Sequence, residues 1–313
     1  DGNYSHDIGR EGQGPGEFQS IRLITVSGGL VTVYDRTLLR LSIFRTDGVF
    51  IRSYSLANRI RTLLPNEVFL TPDETLVLVR EHDTFDHQSG ITTRWSSAVV
   101  QVVTVEEDTL VSLSTDRVII NISGRSIGSR HYFRCYPRAI YRPSNGIYLT
   151  TGRDPAIDVY DLNGRLQRII KIELPPEPVT SQERMAIRSF FRQSLAEADD
   201  ERSRERAESH LENTTFCDPK AFWQGISIDE DGFIWATYPG YLYRMDQEVL
   251  RTTEYRILGP TGEYLGDTQF PDNVFLGFIS RGHLVGYRYN AESESNDFVV
   301  FRIRSRVPGF SYP

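Results

Sequence analysis

A chain of 313 residues with 39% apolar and 25% charged residues is a folded globular protein, which excludes the disordered and low-complexity classes. Its formal net charge of −7, with Lys171 and Lys220 the only lysines, excludes the basic stripe by which proteins hold nucleic acid. No apolar run approaches the roughly 18 residues that a membrane-spanning helix needs, and the 17 Phe and 16 Tyr lean the composition toward sheet.

The chain opens on a glycine loop, residues 8–18, with Gly9, Gly12, Gly14, Pro15, Gly16, Glu17 and Phe18. No Lys-Ser or Lys-Thr follows it and no helix pattern opens after it, so it is a turn-forming segment and not a phosphate loop. From 21 to 55, IRLITV, Gly28-Gly29, LVTVYD and LRLSIFRTDGVFIRSYSL predict four short strands joined by glycine turns, an antiparallel meander. Residues 57–136 hold a looser copy, NEVFLTPDETLVLVRE with SSAVVQVVTVEEDTLVSLS, and RVIINIS at 117–123 is a strand without an assigned place. Inside that copy EHDTFDH gathers Glu81, His82, Asp83, Asp86 and His87 in what reads as an excursion between strands. A clear repeat runs from Pro137 to Ile172, with turns at Asn145-Gly146 and Asn163-Gly164.

After the proline-rich ELPPEPV, Thr180 and Glu183 form a T-x-x-E capping box, and helix is predicted to about Glu212. Ile187, Phe190, Phe191, Leu195 and Ala198 give its first half one apolar face, whereas ADDERSRERAE is charged all round and is expected to project into solvent. A further unit starts at GISIDEDGFIWATY and ends in EYRILGPTGEYLGDTQF; the last, FLGFISRGHLVGYRY with DFVVFRIR, has three strands.

No unit could bury both of its faces alone, and radial stacking solves that problem. The expected fold is all-β: one β-propeller domain over residues 1–313, of four-stranded antiparallel blades, with a helical insertion at about 180–213. Six blades are favoured, with residues 57–136 holding two degenerate units, and five is the alternative. The N-terminal NYSHDI could supply the fourth strand of the last unit and close the ring.

The segment IGREGQGPGEF resembles the opening phrase of bacterial six-bladed propellers related to the NHL repeat, in which a GxxGxGPGEF loop precedes VYVxD and xRIxxFDxxGxF strands. VTVYD at 31–35 and LRLSIFRTDGVF at 39–50 complete the match, and later units share only the rhythm of strand and turn. The resemblance implies a six-bladed ring, often in an exported protein, with no single shared activity. It also implies that the glycine loop is structural, with Phe18 plugged between blades.

Two functional readings follow. The first is a non-enzymatic binding or scaffold propeller, one form being an extrinsic subunit docked on a larger membrane complex. Its protein partners would meet the excursions at 82–95, 123–136 and 175–221, with Phe190, Phe191, Arg202, Arg204 and Arg206 of the helical insertion as candidate contacts. The second is a metal-dependent lactonase, esterase or lyase, the kind of enzyme that some six-bladed propellers are. His82, Asp83, Asp86 and His87 are its candidate ligands by residue type, although inner strands such as IRLITV and GISID carry no repeated ligand set. Capture of carbohydrate or peptide by Trp95, Trp223 and Trp235 ranks below both, because Trp packs between blades. No catalytic residue or cofactor site is assigned: G-x-S-x-G is absent, and neither Cys135 nor Cys217 has a histidine near it in sequence. Whether the two cysteines pair depends on the fold. The chain begins at Asp1 without Met, which a removed leader would explain, so an extracytoplasmic or periplasmic location is expected.

Overall fold

The computed structural model describes residues 6–57, 65–71, 73–88, 91–104, 109–115, 118–123, 131–133, 137–223, 225–237, 254–269, 274–280, 282–290 and 295–303. A parallel bridge between β1 (Arg10–Glu11) and β2 (Glu17–Phe18) pins the glycine loop ahead of sheet 1. Sheet 1 is the meander β3 (Ile21–Ser27), β4 (Leu30–Asp35), β5 (Arg40–Arg45) and β6 (Phe50–Ser55). Sheet 2 contains β7 (Glu67–Leu70), β8 (Thr75–Gln88), β9 (Ile91–Thr104) and β10 (Thr109–Ser114), with β11 (Val118–Ser123) also on β9. After β12 (His131–Tyr132) comes sheet 3, of β13 (Arg138–Arg142), β14 (Gly146–Thr150), β15 (Ala156–Tyr160) and β16 (Leu166–Lys171). Helices α1 (Ser181–Ala196) and α2 (Glu201–Asn213) follow, then β17 (Thr215–Phe216), which pairs in parallel with β12. Sheet 4 is β18 (Ile226–Ile228), β19 (Ile234–Thr237), β20 (Glu254–Leu258) and β21 (Tyr264–Gln269). Sheet 5 has three strands, β22 (Val274–Ser280), β23 (His283–Asn290) and β24 (Ser295–Arg302).

The protein is therefore a β-propeller, with five blades, the lower of the two expected counts, and two helices among the described residues. The strand at 117–123 does not begin a further blade. It pairs with β9 from Val118↔Ser96 to Ser123↔Ile91, where β10 no longer reaches. β8 and β9 form one long hairpin that runs in unbroken register from Thr75↔Thr104 to Gln88↔Ile91. EHDTFDH is thus strand and not an excursion: paired to 94–98 and beyond, its backbone groups find partners that a loop would have had to take from water.

Sheets pack face to face in chain order. Tyr34, Leu41 and Ile43 of sheet 1 meet Val68, Leu70, Leu76 and Leu78 of sheet 2, and Thr25 Oγ1 donates to the Val68 carbonyl across the joint at 2.9 Å. Val77, Val79, Val100 and Val102 meet Ala139, Tyr141, Ile147 and Leu149 of sheet 3. Tyr148, Ile157, Val159 and Ile170 meet Ile228, Ile234 and Leu258 of sheet 4. Trp235 and Tyr255 meet Ile279 and Leu284 of sheet 5. Middle strands such as LVTVYD are buried on both faces and so read as continuous apolar runs, while outer strands such as LQRIIK stay mostly exposed. The turns recur as a device: Asp161 Oδ1 accepts from the Asn163 and Arg165 amides, and Asp229 Oδ1 from those of Asp231 and Phe233, all at 2.9–3.0 Å.

Among the described residues no sheet packs on the outer face of sheet 1, and the glycine loop covers the part of that face formed by Val31, Val33 and Phe44. Phe18 lies on Phe44 with ring centroids 5.7 Å apart, burying Val31 and Val33 with help from Ile8 and Phe50. The Arg40 guanidinium holds the loop by donating to the carbonyls of Gln13, Gly14 and Glu17 at 2.5–2.9 Å. Glu17 folds back so that Gly14 N donates to it at 2.7 Å, and a Cβ at Gly12 would sit 2.2 Å from its Oε2, so only glycine fits there. Asp35 locks the entry to β3. Wholly buried, it accepts from the amides of Gln19 at 2.6 Å, Ser20 at 3.0 Å and Leu38 at 2.8 Å. Burial alone would push its carboxyl up, but these donors outweigh burial and hold it below the usual carboxylate range.

Asp35→Asn keeps the shape but gives up charge-assisted bonds and is expected to cost about 1–3 kcal/mol at neutral pH. Because the folded pKa is the lower one, the carboxylate's contribution is whole above about pH 4 and is lost as pH falls through the folded value. Thermal unfolding of wild type and D35N should therefore converge in acid; a gap that does not change with pH contradicts this role.

Candidate interaction surface

Of the large apolar residues left in water, one group lies on sheet 1 and one on sheet 5, while others such as Ile51, Leu110, Ile169 and Met185 stand apart from both. On β3 the side that faces away from sheet 2 presents Ile21, Ile24 and Val26, the last two 59% and 66% exposed. On sheet 5 the side that faces away from sheet 4 carries Phe278, Phe298 and Val300, exposed by 55%, 82% and 62%. Strand register lines these up: Phe278 is opposite Val285 and Val285 opposite Val300, while Tyr287 is opposite Phe298. Among the described residues no hydrophobic cluster joins sheet 5 to sheet 1. Full burial of a side chain of this size is worth about 1.5–3 kcal/mol, so a partner covering these rows would gain a large apolar term.

Residues 6–8 do not extend sheet 5. His6 and Asp7 lie against Gly48 at the β5–β6 turn and Ile8 joins the loop cluster on sheet 1. The rest of the NYSHDI segment expected to close the ring, residues 3–5, lies outside the described residues.

The helical insertion is built differently from its sequence reading. Thr180 does cap α1: its Oγ1 accepts from the Glu183 amide, and Glu183 Oε2 accepts in return from Thr180 N at 2.9 Å. The helix then ends at Ala196 and restarts, because Asp200 caps α2 by accepting from Ser203 N. Nor is α2 wholly solvated. Ala207 and His210 are buried, and the His210 ring lies 4.9 Å from that of Phe191. Of the candidate contacts, Phe191 is interior to a cluster with Tyr132, Phe133, Val179 and Ile187, and Phe190 is partly buried against it. Arg202, Arg204 and Arg206 are exposed.

This insertion is clamped to sheet 4 by a largely buried ionic group. Lys220 Nζ lies 2.6 Å from Glu183 Oε1 and 4.0 Å from Glu177 Oε2, and it sits over the Phe133 ring. Glu177 is shared with Arg256 of β20 at 3.2 Å, and Arg256 also reaches Asp267 of β21. Burial pushes the Glu183 carboxyl up, but the Lys220 and Thr180 bonds prevail and hold it below its ordinary range.

The backbones of His82, Asp83, Asp86 and His87 lie in β8, and their side chains fall outside the described residues. Among the described residues no three His, Cys, Asp or Glu gather as metal ligands. Glu67, at the start of an inner strand, is one carboxyl that sequence reasoning passed over: burial pushes it up, with Arg142 opposing. A lone carboxyl does not make an acid–base pair. Trp223 and Trp235 are buried between sheets, and the Trp95 side chain lies outside the described residues. Cys217 is half-buried beside the helices, and Cys135 lies outside the described residues.

No family model and no curated protein matches the chain. Solved structures with a similar trace include a protein from Bacteroides fragilis, 10% identical over 91% of this chain and 71% of that one, with a TM-score of 0.45. A DUF4221 family member from Bacteroides vulgatus is 14% identical over 95% and 82%, also at 0.45. BamB from Moraxella catarrhalis is 9% identical over 85% and 82%, at 0.34. No helix among the described residues is long and apolar enough to cross a membrane.

Lys220→Met leaves the Glu183 carboxylate without its cation and Glu177 with Arg256 alone, and is expected to loosen the helical insertion by about 3–5 kcal/mol. Hydrogen exchange across 181–213 should accelerate while sheets 1 and 2 are unchanged; unchanged protection of α1 contradicts the clamp.

Proposed function

We propose that this chain is a non-enzymatic docking propeller that holds a protein partner at the opening between its first and last sheets, outside the cytoplasm and on a larger membrane complex. The observation that carries the reading is the apolar row on sheet 5, where Phe278, Phe298 and Val300 stand in water, facing the same opening as Ile24 and Val26 of sheet 1. The likeness of the residue 8–18 loop to NHL-related six-bladed propellers belongs to the same proposal. A ring laid out for six positions, with five filled by this chain, leaves one for a partner.

A photo-crosslinking residue at position 298, introduced into the full chain in its native host, tests the reading. The expected result is a covalent adduct with one other polypeptide. Phe278→Ser with Val300→Ser should reduce it by about tenfold or more, since each buried side chain contributes about 1.5–3 kcal/mol. Arg202→Ala, Arg204→Ala and Arg206→Ala together should leave the yield intact. No adduct, or a yield that follows the arginines alone, contradicts docking at the opening.

A further inference from the structure

The sequence holds two Asn-Gly pairs, Asn145-Gly146 and Asn163-Gly164, each at a hairpin turn of sheet 3. In such a pair the backbone amide of the second residue can attack the carboxamide of the first, because no Cβ stands in the way. Sequence alone ranks the two alike. Their surroundings do not.

Asn145 is held. Its Nδ2 donates to the Glu230 carbonyl at 2.9 Å and lies 3.5 Å from that of Asp229, both in the β18–β19 turn of sheet 4. Gly146 is enclosed by backbone: it pairs with Arg142 in the ladder, and a Cβ on it would sit 2.5 Å from the Tyr160 carbonyl oxygen. Asn163 is exposed, and among the described residues its carboxamide takes part in no hydrogen bond. Gly164 packs against a side chain, Val111 of β10, and its amide donates to the Asp161 carbonyl at 3.0 Å. The turn leads into β16, which is exposed at every residue but Ile170, and the ladder shifts register at Val159 and Tyr160. Few buried contacts hold the bond at that end, so it opens locally at low cost.

We propose that Asn163 is a self-modification site, converted in the folded chain to aspartate and isoaspartate while Asn145 is spared. When the turn opens, the Gly164 amide gives its proton to hydroxide and its nitrogen attacks Asn163 Cγ. The new C–N bond closes a five-membered imide as the carboxamide nitrogen takes a proton and leaves as ammonia. Water then opens the imide at either carbonyl. The product gains a carboxylate beside Asp161, and its iso form gains a carbon in the backbone. Asp161 Oδ1 accepts from the Asn163 and Arg165 amides, so lengthening the chain between them breaks the turn and loosens the outer strand of sheet 3.

The test incubates the full chain in mildly alkaline buffer and follows both sites by peptide mass mapping and by enzymatic methylation of isoaspartyl groups. Each rate is divided by that of the same site in the urea-unfolded chain, which removes the influence of sequence neighbours. On this scale position 163 should convert about tenfold faster than 145, because the bonds on the Asn145 carboxamide must break first. Hydrogen exchange at 166–171 should quicken as conversion proceeds, and Asn163→Gln should abolish the isoaspartate formed by the folded chain. Equal rates at the two sites, faster conversion at 145, or no conversion at 163 in the folded chain overturns the proposal. Isoaspartate that persists undiminished in Asn163→Gln overturns it as well.

Discussion

A four-stranded sheet with two apolar faces cannot stand alone in water, and each part of this molecule is placed by what covers those faces. Sheets 2, 3 and 4 have both faces covered by neighbours, as the unbroken burial of Val77, Tyr148 and Trp235 shows. The first sheet has a neighbour on one side only. Its other side is covered in part by the chain's own glycine loop, which Arg40 and Glu17 hold in place so that Phe18 can press on Phe44, while Ile24 and Val26 stay exposed. Among the described residues the last sheet has no such cover, and its exposed row of Phe and Val follows from the same rule with one term missing.

The helices obey a separate logic. They interrupt the repeat between sheets 3 and 4, carry their own aromatic cluster, and are tied down by charge where apolar contact is limited. A buried lysine shared by two carboxylates is sensitive to geometry, because each partner removed leaves the others uncompensated. That makes the insertion a fixed buttress on sheet 4. Its Arg202, Arg204 and Arg206 remain exposed on α2.

Much of the fold was legible because the turns are written in the residues. Asn145-Gly146, Asn163-Gly164 and Asp231-Gly232 each sit where a hairpin reverses, and apolar runs of five or six residues fix the strands between them. Blade number was less legible. The stretch from 75 to 104 looks like several short strands when polar residues are taken as loops, yet both strands of one hairpin can carry EHDTFDH and TTRWSS when they pair with each other. The buried side of α2 is hard to see in the sequence because charged residues surround it on all sides. Ala207, His210 and Leu211 at helical spacing were the signal for a buried side, and Asp200 followed by Ser203 was the signal for a second cap. The candidate surface could not be found from sequence at all, since the alternation along β24 is the same whether its neighbour is present or missing.

Hydroxyl-radical footprinting of the purified chain, read residue by residue with mass spectrometry, tests the central claim most directly. The account predicts strong labelling of Phe278 and Phe298 and near-complete protection of Phe18 and Phe44, four residues of one chemistry on two sheet faces that differ in cover. Equal protection of all four would mean that the last sheet is already covered, and would contradict an open face built for a partner.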